Sequence, residues 1–484
     1  MSLLSGYEPQ KALAFFEELC AIPHGSGHTK AISDHLVSFA KERGLAFRQD
    51  DLGNVIIKKP ASLGYEDHPT VILQGHMDMV AVKTADCPKD LEKEGLDLEI
   101  SEGFLSARGT SLGGDDGIAI AYALAILDDE TLPHPPLEFV ATVDEEIGML
   151  GATGLDASDL EGRLLLNIDS EDEGIFTVSC AGGLTALCRF PIQREKLCGL
   201  AMTVRLDGLL GGHSGTEIDK GRLSAIRALG RLLKATEDLP VRLMSLSGGE
   251  KDNAIARFAE AELLVLPEAE EDRVRERLEA VFADICREYE TIEKDLSLEI
   301  ETEEEAEPME ALVLTAESAH RALSALIILP NGVVRRNPDI PSLVQTSLNM
   351  GILETRGAEV ILTLSLRSPA ATEKYFLLDR VRSLMELLGA SCIVEGDYPG
   401  WAYRPDSRLR ETMTAVYREL YGSEPVVEGI HAGLECGIFA AKLPGLDAIS
   451  FGPQIEDIHT TSERLDLSSV ERTWHLLTET LKRL

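Results

Sequence analysis

Three short apolar runs, VILQGHMD (residues 71–78), EFVATVDEE (138–146) and LLLNID (164–169), each break off on carboxylates or a histidine. Runs of this length and composition read as buried β-strands, which ordinarily end on turn residues rather than on charge. Asp144, Glu145 and Glu146 stand in immediate succession at such an end. Adjacent carboxylates repel unless they are protonated or a cation compensates them. His76 and Asp78 are two apart, so on an extended strand their side chains share a direction, and a carboxylate beside an imidazole can fix its tautomer.

Around these runs, strand and helix patterns alternate from the start to about residue 185. HTKAISDHLVSFAKERG has apolar residues at helical spacing and stops at Gly44, while NVIIKK, TVILQG, LEFVATV and RLLLNID read as strands. That alternation predicts an α/β sheet with helices on its faces and chemistry at the strand ends. From about 199 to 394 the texture changes to two successive strand-helix-strand sets, and after about 395 the first texture returns. The expected fold is α/β, a mixed central sheet flanked by helices, interrupted by an inserted α+β domain. The expected boundaries are 1–186 with 395–484 for the discontinuous first domain and 187–394 for the insertion, which is expected to be internally duplicated. A length of 484 residues suits two cores. Ser468 and Glu471 form a capping-box pattern that predicts the start of the last helix.

Charge excludes one broad class of partner. With 46 basic and 83 acidic residues the chain carries −37, which repels nucleic acid and anionic membranes. The eight cysteines lack a C-x-x-C pair, so reduced thiols are expected rather than a zinc ribbon or a disulfide framework. The first residues do not read as a signal peptide, and the expected location is the cytoplasm. The acidic run IETEEEAEPMEA is expected to be a solvated loop or strand edge.

A further stretch, RGTSLGGDDGIAIAYALAIL, brings two acids to the start of a long apolar helix after a glycine-rich approach. Asp115 or Asp116 there could cap the helix or hold a cation. Asp169 closes the third strand, and His459 lies in the polar loop of FGPQIEDIHTTSERL before the last helix. Histidines and carboxylates converging from separate strand ends are the donor set of a divalent metal centre.

The ordered set GHMD, GTSLGGDDG, DEEIG, NID and IHT resembles the M20 metallopeptidases, and within them the aminoacyl-histidine dipeptidases, over essentially the whole chain. The resemblance implies a two-zinc centre, with cobalt or manganese as other admissible ions. Asp115 would bridge, His76 and Asp169 would complete one metal, and Glu146 with His459 the other. Asp78 would orient His76, Glu145 would be the general base, and the Asp115–Asp116 peptide would be cis. The insertion would be a lid. From it His213, in LLGGHSG, would stabilise the oxyanion, with Asn253 and Arg367 binding substrate. Gly433, in the GIHAGLECG loop, would touch the substrate backbone, with His431 and Glu435 as weaker candidates. The implied activity is hydrolysis of Xaa-His dipeptides such as β-Ala-His, and of other small dipeptides, by a homodimer. An N-acyl amino acid amidohydrolase would share the same metal ligands, and a non-catalytic metal-binding scaffold would have no use for Glu145.

Overall fold

The structure is a computed structural model that describes residues 3–302 and 307–484, so Glu303, Glu304, Glu305 and Ala306 of the acidic run lie outside the described residues. The chain divides into two compact units: Met1–Cys180, Trp401–Gly429 and Leu434–Leu484 form the first, and Ala181–Gly400 with Ile430–Gly433 the second. The breaks thus fall at 180/181 and 400/401. Residues Ile430–Gly433 join the second unit because the Ala181 amide donates to the carbonyls of Ile430 and Ala432, and His431 hydrogen-bonds Ser347 at 2.7 Å.

The first unit is built on an eight-stranded mixed sheet. Its strands lie in the order Ala46–Gln49, Val55–Lys59, Leu137–Thr142, Val71–His76, Leu164–Asn167, Asp447–Ser450, Ile175–Cys180 and Val426–Ile430. The three runs that end on charge are neighbours: Val71–His76 is central and pairs in parallel with Leu137–Thr142 on one side and Leu164–Asn167 on the other. Parallel strands carry their carboxyl ends to the same edge, so His76, Glu145, Glu146 and Asp169 leave the sheet together. All six residues of Val71–His76 and of Leu137–Thr142 are buried, as strands covered on both faces must be.

One covering element is the helix Gly114–Asp128. Every residue from Gly114 to Leu127 is buried, which marks a helix enclosed on all sides. It packs on the strand Val71–His76 and on the helix Gln10–Cys20. Close approach requires Gly75: a Cβ there would lie 2.5 Å from Asp116 Oδ2 and 2.6 Å from the Ala119 Cβ.

The last helix, Leu467–Leu481, departs from the capping-box expectation. Its cap is Asp466, whose carboxylate accepts the amides of Ser468 and Ser469. An ionised carboxylate is the stronger acceptor at a helix N-terminus, so it starts the helix before Ser468 can. Among the described residues no helix is long and apolar enough to cross a membrane.

The second unit is a sheet whose main path runs Ser297–Glu301, Arg194–Asp207, Ala259–Val265, Val241–Gly248, Val344–Arg356, Glu359–Ser368, Gly182–Pro191 and Ser391–Tyr398. Helices Ala225–Lys234, Glu271–Tyr289, Ala316–Ile328 and Ala371–Leu387 supply apolar residues to its core.

Replacing Gly75 with alanine forces the strand and the Asp115–Asp116 turn apart. The Gly75→Ala chain is expected to lose about 1–3 kcal/mol of stability and to bind divalent metal more weakly, as read by urea denaturation and metal titration. Unchanged stability and affinity would show that the close approach does not constrain the site.

Candidate metal centre

His76 is fixed before any ligand arrives. Its Nδ1 lies 3.0 Å from the backbone carbonyl of Asp78, and a carbonyl only accepts, so Nδ1 carries the proton in the neutral ring. Nε2 is thereby the nitrogen left for a metal, facing Asp115 Oδ1 at 3.1 Å and Asp169 Oδ1 at 3.4 Å. The Asp78 carboxylate stands 3.5 Å from Nδ1. It also accepts from Ser26 Oγ at 2.8 Å and from the backbone amides of Glu145 at 3.0 Å and Glu146 at 3.4 Å. One buried carboxylate therefore ties the histidine's strand end to the acidic turn.

Asp115 is held by a turn with its own anchor. The amides of Leu112, Gly113 and Gly114 donate to the Glu463 carboxylate at 2.8, 3.1 and 2.8 Å. Gly113 has φ 68°, and a Cβ there would also meet Met79 Sδ at 2.8 Å. The Asp115–Asp116 peptide is cis. The two oxygens of Asp115 then face different imidazoles, Oδ1 toward His76 Nε2 and Oδ2 toward His459 Nε2, each at 3.1 Å. His459 Nε2 is also 2.9 Å from Glu146 Oε1. Asp116 accepts the His76 amide at 3.1 Å.

Two constellations result, His76 with Asp169 and His459 with Glu146, with Asp115 between them. One oxygen or nitrogen from each of His76, Asp115 and Glu146 falls within a 4.8 Å cluster, and the same holds for His76, Asp116 and Asp169. This donor set of oxygen and imidazole nitrogen fits divalent cations such as zinc.

The electrostatics of the metal-free centre tell the same story. Burial, reinforced by Asp169, Glu435 and Glu146, raises Glu145 to about 9. Burial likewise raises Asp169 to about 6 against the opposing pull of His76. Burial would raise Asp115 too, yet the hydrogen bonds of His459 and His76 carry it below the ordinary carboxylate value. Hydrogen bonds from Asp115 and Glu146 raise His459 to about 10. Burial opposes charge on His76, but Asp115, Asp169 and Asp78 together raise it well above the usual imidazole value. Without a cation, protons supply the missing positive charge. The sign follows for stability. The His459 contribution is complete below the free-imidazole pKa of about 6.5 and fades as pH rises through about 10. The Asp115 contribution is present above the free-carboxylate pKa and is lost on acidification.

The remaining candidates belong to the second unit. Gly212–His213 pairs with Ala254–Ile255, and the Ser214 amide donates to the Asn253 carbonyl at 2.8 Å, so His213 and Asn253 occupy one corner. Burial and the Arg367 guanidinium lower His213. Arg367 is buried, donates to the Tyr398 hydroxyl at 3.0 Å, and its Nε has no partner among the described residues. Burial and Arg367 push His431 down to about 3. Gly433 is in the segment that joins this unit. In the first unit, Glu435 is fully buried, accepts from Gln74 at 2.5 Å and Thr142 at 2.7 Å, and is raised by burial to about 7.

The sequence reading missed Glu463 and Ser26. Glu463 anchors a turn about 350 positions away, and no local pattern carries that information.

An α/β unit that gathers histidines and carboxylates at the ends of adjacent parallel strands is the framework of a metal-dependent hydrolase. The sequence profile of peptidase family M20/M25/M40 matches residues 72–483. The chain is 37% identical over 487 aligned positions to the cytosol non-specific dipeptidase of Escherichia coli strain K12, covering 100% of this chain and 99% of that protein. The crystal structure of aminoacylhistidine dipeptidase from Vibrio alginolyticus superposes with a TM-score of 0.95 at 35% identity, covering 100% of this chain and 98% of that one. Aminopeptidase PepT from Bacillus cereus, at 16% identity and a TM-score of 0.56 over 98% of both chains, shares the fold. The chain belongs to peptidase family M20/M25/M40 and is a peptide-bond hydrolase.

Metal entering this centre must displace the protons held by His76 and His459. Zinc titration of the chelator-stripped chain near pH 7, followed by calorimetry in buffers of different ionisation enthalpy, is expected to show proton release and an affinity that climbs with pH. Binding without proton release would contradict the electrostatic reading.

Proposed function

We propose that this dipeptidase hydrolyses Xaa-His dipeptides, β-Ala-His among them, together with other small dipeptides, as a cytoplasmic homodimer with two divalent cations. The observation that carries the metal assignment is the division of Asp115, one oxygen toward His76 and Asp169 and the other toward His459 and Glu146. His76 and Asp169 would hold one cation, Glu146 and His459 the other, and Asp115 both. The names of the Escherichia coli and Vibrio alginolyticus relatives support the dipeptide reading, and the second of them supports the histidine preference. Zinc is the ion proposed first, with cobalt and manganese compatible with the same ligands.

Bound there, a pair of divalent cations supplies Lewis acidity at the scissile carbonyl and makes water easier to deprotonate. The protein's own groups do the rest. Glu145 stands beside the ligands, and its ionisation is suppressed by burial and neighbouring carboxylates in the metal-free chain. Positive charge at the centre relieves that repulsion, so the carboxylate becomes available to take a proton from the attacking water and return it to the departing amine. Asp78 keeps His76 in one tautomer and holds the Glu145 backbone amide. Arg367 is suited to a substrate carboxylate, since a planar guanidinium pairs with it through two bonds. His213, lowered toward the neutral ring, would donate to the oxyanion, with Asn253 and Gly433 contacting the peptide backbone.

A panel of β-Ala-His, Gly-His, Ala-Ala, a tripeptide and an N-acetyl amino acid, assayed with zinc and after chelation, tests the reading. Chelator-sensitive cleavage confined to dipeptides and fastest on those with histidine is expected. Equal rates on Ala-Ala and Gly-His would replace the histidine preference with broad dipeptidase activity, and preference for the acetylated substrate would replace both with an amidohydrolase. Glu145→Gln is expected to lower kcat by roughly 10²–10⁴-fold, the usual worth of a positioned acid-base group, while metal content stays unchanged. A variant as fast as the parent would remove Glu145 from that role.

A further inference from the structure

Outside the metal centre, two of the eight cysteines face each other across the sheet of the second unit. Strand Ser391–Tyr398 pairs antiparallel with Gly182–Pro191, and in that register Cys392 stands directly opposite Cys188. Directly opposed residues of an antiparallel pair have Cα atoms about 4.5–5.5 Å apart and side chains on the same face. That separation lies inside the window of about 4.4–6.8 Å that a disulfide spans. Each thiol perturbs the ionisation of the other, as facing side chains do. Neither cysteine is in a disulfide.

The pair is also chemically asymmetric. Cys188 is fully buried, whereas Cys392 is only half-buried, on the strand at the end of the sheet path. The neighbouring Cys188 side chain, helped by Arg382, lowers Cys392 to about 7, whereas Cys392 and burial push Cys188 far up. A partly accessible thiol whose ionisation is favoured, beside a buried thiol, is the arrangement of an attacking and a resolving cysteine.

We propose that Cys188 and Cys392 are a reversible oxidation site that closes to a cross-strand disulfide when a small disulfide such as glutathione disulfide reaches Cys392. In the first step the Cys392 thiolate attacks one sulfur of glutathione disulfide, giving a mixed disulfide and one glutathione thiolate. Cys188 then gives its proton to that thiolate and its sulfur attacks Cys392 Sγ, expelling the second glutathione. Two cysteine thiols lose two electrons, and one glutathione disulfide becomes two glutathiones. The product pins the edge strand that ends in Tyr398, the partner of Arg367.

The test is incubation of the purified full-length chain with glutathione disulfide, acid quench, alkylation and peptide mapping. The expected result is loss of two of the eight alkylatable thiols, a peptide linking Cys188 to Cys392, no retained glutathione, and recovery of all eight thiols with dithiothreitol. Cys188→Ser is expected to stop at a stable mixed disulfide on Cys392. Arg382→Gln is expected to slow the first step at neutral pH, with the deficit shrinking as pH rises. A parent chain that keeps eight thiols, pairs other cysteines, or accumulates glutathione on Cys392 without closing the bond would overturn the proposal.

Discussion

Uncompensated negative charge at the edge of the central sheet is the constraint around which the first unit is arranged. Three parallel strands deliver Asp78, Glu145, Glu146 and Asp169 to one place, and the helix packed against them adds Asp115 and Asp116. Burial raises the cost of each charge, and proximity multiplies it. The fold meets that cost with two imidazoles, a backbone tied to Asp78, and Glu463 holding the turn that presents Asp115. Protons balance part of the charge in the metal-free chain. Cations would balance it better while creating a reactive centre, which is why a site costly to assemble is a site for chemistry.

Much of this was legible in the amino-acid order. Val71–His76, Leu137–Thr142 and Leu164–Asn167 announce themselves as apolar runs, and chain direction in parallel strands carries their endings to a common edge. Asp115 and His459 were visible through the glycine-rich approach and the late polar loop. The rest depended on long-range contact. Glu463 looks like one more surface acid in TTSERL until its carboxylate is seen on three amides of a distant turn. The same holds at Asp466, where a carboxylate outcompetes the serine that local pattern favoured.

In the second unit the strands Gly182–Pro191 and Ser391–Tyr398 escaped the sequence reading. GGLTALCRFP opens on two glycines, and SCIVEGDY alternates exposed and half-buried residues at a sheet edge. Without those strands, Cys188 and Cys392 are scattered thiols separated by two hundred positions. Register turns them into a facing pair, and it also sets Arg367 opposite Gly183, beside the Tyr398 hydroxyl that accepts its hydrogen bond. Pairing between distant strands is set by the whole sheet rather than by either segment, which is why local pattern could not reveal it.

The central claim is that Asp115 serves two cations at once. Anomalous diffraction at the zinc edge from crystals of the zinc-loaded chain tests it most directly. Two peaks are expected, one bounded by His76 and Asp169 and the other by Glu146 and His459, each within bonding distance of a different Asp115 oxygen. A single peak, or two peaks that do not share Asp115, would contradict the account.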